Sequence, residues 1–255
     1  MSQDLFNLER KIALITGSGQ GIGYSLAEGL GNAGCRIILN DIDDKRLTTS
    51  VKNLAERGMT VYGSVFDVTD EDRVHTEITH IEQDIGPIDI LINNAGITIR
   101  RTLEEFKLED WKKIIDINLT GAFITAKSAA QGMIKRKQGK IINICSVQSQ
   151  LARPTIAPYT ASKGGLKLLT QGMATDWGKY NIQVNGIAPG YIKTELTKKL
   201  YEDKDFDAWL CARTPANRWG DPHELVGAAI FLSSKASDYV NGHVIYVDGG
   251  LTGCV

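Results

Sequence analysis

Short runs of aliphatic and β-branched residues alternate along the chain with longer segments of helical periodicity. The predicted strands cover residues 11–15, 36–40, 60–66, 88–92, 140–144, 181–187 and 243–247, and the predicted helices cover residues 22–33, 43–57, 70–85, 107–136, 158–178 and 222–234. Continuous apolar strands separated by helices are typical of a parallel sheet covered on both faces. Because crossovers between parallel strands are right-handed, the pattern predicts an α/β fold with a doubly wound, Rossmann-type sheet of about seven strands.

The alternation has one interruption, at residues 191–218. Residues 1–255 contain no linker, repeat or low-complexity stretch, so the pattern predicts a single domain. Residues 191–218 are polar and aromatic, with charged residues around Phe206. We expect this segment to cross the sheet edge as a lid over a binding site, because long excursions in compact domains commonly carry function.

Composition and charge exclude several classes of protein. The chain is 42% hydrophobic and 23% charged, which is ordinary for a globular protein, and its net charge of −1 is scattered. It therefore lacks the field expected of a protein that binds nucleic acid or anionic lipid. The polar N-terminus and the short apolar runs predict neither a signal peptide nor a membrane span. Widely spaced cysteines and isolated histidines predict no metal site and a cytoplasmic location.

A glycine-rich turn follows the first predicted strand and opens directly into a helix. It consists of Thr16, Gly17, Ser18, Gly19, Gln20, Gly21, Ile22 and Gly23. Glycines let the backbone approach a pyrophosphate, and the N-terminus of the helix supplies free N–H groups and the positive end of a dipole. Between a strand and a helix, the turn therefore predicts a dinucleotide site, with an ordinary strand-to-helix connection as the alternative.

An acidic residue, Asp41, ends the second predicted strand. A carboxylate here accepts hydrogen bonds from the adenosine ribose hydroxyls and repels a 2′-phosphate. No arginine or lysine stands at Ser18, Gly19 or Gln20, or immediately after Asp41, to neutralise such a phosphate. The prediction is therefore NAD(H), with NADP(H) as the alternative. A role for Asp41 as a helix cap is less favoured because Asp43 is better placed for it.

Five motifs in one order give the chain a family resemblance. They are Thr16-Gly17-x-x-x-Gly21-x-Gly23, Asp67-Val68, Asn93-Asn94-Ala95-Gly96, Ser146 with Tyr159-x-x-x-Lys163, and Pro189-Gly190-x-x-x-Thr194. With these motifs the chain resembles the short-chain dehydrogenase/reductase family along nearly its whole length. The resemblance implies that Asp67 and Val68 bracket an adenine and that Asn94, Ala95 and Gly96 line the ribose side. It also implies that Pro189, Gly190, Ile192 and Thr194 complete the cofactor site, although Thr194 could be only a helix cap.

The proton chemistry is predicted for a tyrosine and a lysine one helical turn apart. Tyr159 and Lys163 share a helix face at this spacing. A tyrosine is a poor base at its ordinary pKa of about 10, so we expect the Lys163 ammonium to lower the pKa of Tyr159. Ser146 is placed to hydrogen-bond a substrate oxygen and steer it to the phenol. The resemblance implies further that Lys163 holds the nicotinamide ribose and that Asn118 holds a water linking the lysine to solvent.

Within that family the chain looks most like the gluconate 5-dehydrogenases. The likeness extends over residues 141–149, 181–190, 208–222 and 231–237, which include part of the variable lid. It implies reversible reduction of 5-keto-D-gluconate to D-gluconate. A sugar acid needs a cation for its carboxylate and polar partners for its hydroxyls. The candidate substrate contacts are Arg100, Gln148, Ser149 and Tyr191, beside Ser146 and Tyr159, with Arg101, Arg153 and Arg213 as further candidate cations.

Other readings stay open at this point. The nearest are a 3-ketoacyl-carrier-protein reductase and a different sugar or polyol dehydrogenase, and a remote one is a protein that senses NAD(H) without turnover. The resemblance also implies a homotetramer as the partner state. Apolar residues of the segment 107–136, such as Ala122, Phe123 and Ile124, suit a subunit face, but they suit packing on the sheet equally well.

Overall fold

The computed structural model describes residues 5–254, whose strands form one parallel sheet. The strand order is β3-β2-β1-β4-β5-β6-β7. The strands are β1 Ile12–Ile15, β2 Arg36–Asp41, β3 Val61–Val65, β4 Ile90–Asn93, β5 Gly139–Ile144, β6 Ile182–Pro189 and β7 Val244–Val247. Neighbouring strands pair in parallel throughout. The order reverses between β1 and β4, which confirms the doubly wound, Rossmann-type sheet predicted from the sequence.

Helices cover both faces of this sheet. They are α1 Gly21–Asn32, α2 Asp44–Glu56, α3 Glu71–Asp84, α4 Leu108–Ile115, α5 Gly121–Arg136, α6 Ala157–Trp177, α7 Lys198–Tyr201, α8 Lys204–Arg213 and α9 Val226–Ser233. The first large core cluster joins α1, α2 and α9 to one face of the sheet. The second joins α3, α5 and α6 to the opposite face. Buried apolar side chains on both faces explain why β1 is hydrophobic at every position rather than at alternate ones.

The predicted helix 107–136 is interrupted in the structure. Residues Asp116–Thr120 form a π-helical turn between α4 and α5, and the buried Asn118 lies within it. Its amide bonds to the backbone of Ile97 and to Ser162 on α6. These bonds hold the widened turn against the site, and such bulges within helices are often found at functional sites. The predicted helix 222–234 also differs, because it begins as a 3-10 turn, Pro222–Leu225, before α9.

A chain of buried polar side chains links the carboxyl ends of β4 and β5 to two helices. Asn93 donates to the Asn143 side chain at 2.9 Å, and Asn143 donates to the Thr170 hydroxyl on α6, also at 2.9 Å. Thr125 on α5 donates to the side-chain amide oxygen of Asn93. All four residues are buried, so these hydrogen bonds satisfy groups that would otherwise be costly to bury. They fix the strand ends from which the next loops begin.

The segment 191–218 carries α7 and α8 above the carboxyl edge of the sheet, together with a cluster of aromatic residues. Tyr191 lies 5.7 Å from Phe206 and 5.7 Å from Trp219, measured between ring centroids. The indole of Trp219 donates to Asp207 at 2.7 Å. This packing explains how a largely polar segment obtains a small core of its own. Across residues 5–254, no helix combines the length and the apolar character needed to cross a membrane.

Candidate active site

A cleft of about 440 Å³ opens at the carboxyl edge of the sheet, where the strand order reverses. In open α/β sheets this crevice is the usual ligand site, because the connections after neighbouring strands leave on opposite faces. Most of the predicted cofactor residues line it. They are Gly17, Gln20, Gly21, Ile22, Asp41, Asp67, Val68, Asn94, Ala95, Gly96, Tyr159, Lys163, Pro189, Gly190, Ile192 and Thr194.

The glycine turn has the shape needed to hold a pyrophosphate. Gly17 has φ +59°, and a Cβ there would lie 2.8 Å from the Cα of Ala95, so only glycine fits between the turns after β1 and β4. Gln20 begins helix α1 without a side-chain cap. The first N–H groups of α1 therefore remain available to an anionic ligand at the positive end of the helix dipole. These features fit a dinucleotide.

Three predicted cofactor residues lie behind the cleft rather than in its lining. The Thr16 hydroxyl accepts hydrogen bonds from the backbone N–H groups of Asn94 and Ala95 at 3.0 and 3.1 Å. Ser18 is fully buried and donates to the carbonyl of Ile15. A Cβ on Gly23 would lie 2.5 Å from the amide nitrogen of Asn94. Thr16, Ser18 and Gly23 therefore shape the turns that surround the cleft.

Asp41 stands at the adenosine end of the cleft, but it is paired with a cation. The Arg46 guanidinium donates to both carboxylate oxygens, at 2.6 and 3.1 Å. Burial acts to raise the pKa of Asp41, but the hydrogen bonds from Arg46, Asp43 and Gly19 outweigh it and leave the pKa below its ordinary value. Arg46 was not predicted from the sequence, because a cation was expected only at positions next to Asp41. The available signal was the helix start after Asp43, which turns the fifth residue after Asp41 back toward the cleft.

The catalytic candidates meet at the other end of the cleft. The Lys163 ammonium lies 5.8 Å from the centroid of the Tyr159 ring and donates to the carbonyl of Ile144 at 2.6 Å. Burial lowers the pKa of Lys163 to about 8. Burial also raises the pKa of Tyr159 above its ordinary value, only partly offset by a hydrogen bond with Ser146. The shift is opposite to the expected one, because desolvation of the phenol outweighs its hydrogen bond with Ser146 and the Lys163 ammonium does not offset it.

Asn118 uses its side chain to hold the loop after β4. Its amide oxygen accepts from the backbone N–H of Ile97 at 2.8 Å, and its nitrogen donates to the Ile97 carbonyl at 2.9 Å. A Cβ on Gly96 would lie 3.3 Å from this amide oxygen and 3.6 Å from the Lys163 nitrogen. Asn118 and Lys163 therefore flank the same glycine. The water-mediated role expected for Asn118 stays a prediction.

A smaller pocket adjoins the catalytic end of the cleft under the lid. Its lining includes five predicted substrate contacts, namely Arg100, Ser146, Gln148, Tyr159 and Tyr191. Thr98 and the further candidate cation Arg153 also line it, whereas the predicted contact Ser149 does not. Of the residues 5–254, none that lines this pocket is acidic. Burial, and then the charge of Arg153, lower the pKa of Arg100. The pocket therefore holds two cations that lack a carboxylate partner within it.

Unpartnered polar atoms surround the same pocket. The Nε of Arg100, the Oε1 of Gln148 and the hydroxyl of Thr98 are buried and have no hydrogen-bond partner among residues 5–254. Two other arginine candidates, Arg101 and Arg213, do not line this pocket. Arg101 pairs with Asp110 at 3.3 Å, and Arg213 bonds to Cys254 at the end of the described chain.

Within the described part of the chain, no group of three His, Cys, Asp or Glu side chains is arranged to hold a metal ion.

Comparisons with known proteins agree with this geometry. The family profile described as enoyl-(acyl carrier protein) reductase matches residues 17–252. The chain is 55% identical to a 5-keto-D-gluconate 5-reductase of Escherichia coli (strain K12), over 97% of this chain and 98% of that protein. It is 51% identical to a 2-dehydro-3-deoxy-D-gluconate 5-dehydrogenase of Formosa agariphila, over 98% of this chain and 96% of the relative.

A solved structure matches the whole chain. It is a gluconate 5-dehydrogenase from Burkholderia cenocepacia, crystallised in complex with NADP and tartrate. It superposes with a TM-score of 0.98 at 51% identity and covers 100% of both chains. The glycine turn, the Tyr159–Lys163 pair and these full-length matches confirm the resemblance seen in the sequence. The chain belongs to the short-chain dehydrogenase/reductase family of nicotinamide-dependent oxidoreductases.

Proposed function

We propose that the protein interconverts 5-keto-D-gluconate and D-gluconate, with a nicotinamide dinucleotide as the hydride carrier. The observation that carries this proposal is the pocket beside Ser146 and Tyr159, which holds Arg100 and Arg153 and has no acidic residue in its described lining. A carboxylate supplies the missing negative charge and accepts two parallel hydrogen bonds from a guanidinium. The 55% identity to a 5-keto-D-gluconate 5-reductase supports the same substrate.

The polar atoms of the pocket favour a substrate with several hydroxyl groups. Gln148 offers a buried acceptor, Arg100 a buried donor, and Thr98 a hydroxyl that serves as either. A buried polar group without a hydrogen-bond partner costs free energy. Substrate hydroxyls that pair with these groups remove that cost, whereas an apolar chain does not. The long acyl chain of a carrier-protein substrate offers no such hydroxyls and is therefore disfavoured.

The chemical step places a proton on, or removes one from, the substrate oxygen. When bound, a nicotinamide dinucleotide supplies or accepts the hydride at the neighbouring carbon. In the direction of reduction, the Tyr159 phenol donates its proton to the ketone oxygen, and solvent restores it. The raised pKa of Tyr159 keeps the phenol protonated at neutral pH, which suits this role. The Ser146 hydroxyl, which lines the same pocket as Tyr159, orients the same oxygen.

A second candidate substrate is 2-dehydro-3-deoxy-D-gluconate. The relative from Formosa agariphila that is named for this substrate is 51% identical over 98% of the present chain. Both compounds are sugar acids, so the two arginines suit either. The 3-deoxy compound has fewer hydroxyls to pair with the buried polar atoms of the pocket, and we therefore favour gluconate.

For the cofactor we propose that the cleft accepts both NAD(H) and NADP(H). Asp41 supports NAD(H), because its carboxylate is suited to ribose hydroxyls. The relative from Burkholderia cenocepacia, whose structure contains NADP, supports NADP(H). The use of both NAD(H) and NADP(H) therefore takes the place of the preference for NAD(H) that the sequence predicted.

We also propose a homotetramer. Leu108 on α4, Phe123 on α5 and Leu168 on α6 are 67%, 44% and 66% exposed, and large apolar side chains on adjacent helices suit a subunit interface. Sedimentation velocity of the purified protein is expected to give about four times the chain mass of 27.9 kDa. A single species at the mass of one chain would contradict this assembly.

The activity itself is tested with the Tyr159→Phe variant. The native protein is expected to reduce 5-keto-D-gluconate, followed by the loss of absorbance of the reduced nicotinamide. Removal of the phenolic hydroxyl removes the proton donor, so kcat is expected to fall roughly 100- to 10,000-fold. Cofactor binding, measured by the fluorescence of the reduced nicotinamide, should change little.

The controls separate the candidate substrates. Gluconate and 2-dehydro-3-deoxy-D-gluconate are compared in the direction of oxidation, and acetoacetyl thioester is compared with 5-keto-D-gluconate in the direction of reduction. A higher kcat/KM for the 3-deoxy acid or for the thioester would replace the proposed substrate. Near-native kcat in Tyr159→Phe would remove the proposed mechanism.

Carboxylate recognition is tested with Arg100→Ala. We expect the KM for 5-keto-D-gluconate to rise roughly 10- to 100-fold, because a charge-assisted hydrogen bond to the carboxylate is lost. The reduction of a neutral ketone of similar size should be nearly unaffected. Arg101→Ala is the matched control, since that neighbouring arginine pairs with Asp110 outside the pocket. Equal effects of Arg100→Ala on the charged and neutral ketones would exclude this role.

Burial of Lys163 also predicts a pH-dependent cost in stability. The pKa of Lys163 is about 8 in the folded protein against an ordinary 10.5, so between these values the unfolded chain binds a proton that the folded one does not. Stability due to this group therefore rises with pH across that window. Lys163→Met is expected to be more stable than the native protein at pH 7, by up to about 3 kcal/mol.

The measurement is urea unfolding at pH 7 and at pH values between 8 and 10.5. The gain from Lys163→Met is expected to shrink as the pH rises through this window, because the native ammonium loses its charge. Lys52→Met removes a lysine that is 73% exposed and should show no such trend. A gain that is constant with pH would attribute the effect to packing instead.

A further inference from the structure

The turn that carries Ser146 leaves the sheet directly after β5. The Cys145 N–H still donates to the Ile187 carbonyl of β6 at 2.7 Å, but Ser146 lies beyond the paired part of the strands. The Ser146 N–H donates instead to the Ser149 hydroxyl at 3.3 Å, and the Ser149 N–H donates to the Ser146 carbonyl at 2.9 Å. Ser146 is 7% exposed, so an N–H without an acceptor here would cost free energy. Ser149 thus closes the turn onto the end of the strand.

The same turn fixes the Ser146 side chain. Its hydroxyl oxygen accepts a hydrogen bond from the Gln148 N–H at 3.1 Å. A backbone N–H can only donate, so this bond uses a lone pair of the Ser146 oxygen and leaves the hydroxyl hydrogen available for another acceptor. Ser146 lines both the cleft and the substrate pocket. The turn therefore prepares Ser146 to donate its hydrogen to a substrate oxygen.

Ser149 lines neither the cleft nor the substrate pocket, although it was predicted to contact a substrate hydroxyl. It is half-buried at the end of the 3-10 turn Val147–Ser149, three residues after Ser146. A side chain in this position reaches the reacting atoms only through a neighbour. Because the neighbour that it binds is Ser146, Ser149 influences the reaction by holding Ser146 in place.

Loss of the Ser149 hydroxyl would disturb Ser146 without removing it. The Ser146 N–H would need water or a shifted turn to recover an acceptor, and both changes disturb the place of the Ser146 oxygen beside Tyr159. Catalysis depends steeply on such placement, since a displacement of about 1 Å can cost roughly 100-fold in rate. The hydroxyl of Ser149 is therefore expected to matter for the rate although it lies outside the pocket.

We propose that Ser149 is a positioning residue for ketone reduction. By accepting the Ser146 N–H, it holds the turn in which the Ser146 oxygen accepts the Gln148 N–H, so that the Ser146 hydroxyl keeps its hydrogen for the substrate oxygen. A donor held in this way stabilises the negative charge that develops on the ketone oxygen as hydride arrives at the neighbouring carbon. The inference rests on the proposed function, because Ser149 acts on the reduction that Ser146 and Tyr159 perform.

The test is a double-mutant cycle with Ser149→Ala and Ser146→Ala. In the native background, Ser149→Ala is expected to lower kcat for 5-keto-D-gluconate roughly 5- to 50-fold, because the Ser146 N–H loses its acceptor and Ser146 loses its place. In the Ser146→Ala background the same substitution is expected to change kcat less than about twofold, since the hydroxyl through which it acts is absent. The melting temperature should fall equally in both backgrounds, because Ser146→Ala keeps the N–H.

Ser149→Thr keeps the hydroxyl and is expected to restore most of the native kcat, whereas Ser149→Val has the same shape without the hydroxyl and should behave as Ser149→Ala. Ser234→Ala is the matched control. Ser234 is also buried and donates to the Phe231 carbonyl at 2.9 Å, but it lies at the amino ends of β4 and β5, so its loss should lower the melting temperature and leave kcat unchanged. If Ser149→Ala is unfolded by circular dichroism, Ser149→Cys, with its weak acceptor, takes its place in the cycle.

Three outcomes would overturn the role of Ser149. They are a native-like kcat in Ser149→Ala, an equal loss of kcat in both backgrounds, and the same loss in Ser234→Ala. If the native protein reduces another ketone better than 5-keto-D-gluconate, the substrate proposal fails, and the cycle measured with that ketone still decides the role of Ser149. Reduction of no ketone by the native protein would overturn both.

Discussion

The reversal of strand order between β1 and β4 opens the crevice in which every candidate residue of the site is placed. A gap between parallel strand ends exposes backbone groups that no strand pairs, and here side chains satisfy them. The Thr16 hydroxyl accepts from the N–H groups of Asn94 and Ala95, while the Asn94 amide donates to the carbonyls of Thr16 and Gly17 at 2.9 Å. These reciprocal bonds hold two turns at a fixed separation and so shape the cleft between them.

The catalytic end of the cleft is held together at a cost in stability. A buried ammonium loses its proton more readily, and a desolvated phenol holds its proton more firmly, than either group does in water, so desolvation lowers one pKa and raises the other. The Ile144 carbonyl gives Lys163 a single close partner, and the π-helical turn around Asn118 holds the neighbouring loop. Groups poised in this way are characteristic of sites that move protons, since their environment rather than their chemical type decides when they ionise.

The two ends of the binding region differ in how their charges are paired. At the end lined by Asp41 a carboxylate and a guanidinium neutralise each other. Under the lid, Arg100 and Arg153 face a pocket with no acid in its described lining, and Arg153 lies over the ring of Phe206 at 5.2 Å from its centroid. The aromatic residues of the lid thus support a cation at the substrate pocket. Arginine thus occurs at both ends, paired with an acid at one and without an acid in the described lining at the other.

The order of elements, the doubly wound sheet, the glycine turn and the Tyr159–Lys163 pair were all predictable from the sequence, because they depend on local periodicity and on spacing within one helix. Ser146 and the loop motifs followed from their family resemblance. The π-helical turn, the Asn93–Asn143 link and the Asp41–Arg46 pair were missed, and only the structure separates Arg101 and Arg213 from Arg100. Each of these features depends on which distant backbone group or charge a side chain contacts. Such contacts leave no periodic pattern in the sequence. Sequence thus determined the kinds of groups present, while tertiary packing decided their partners and the direction of their pKa shifts.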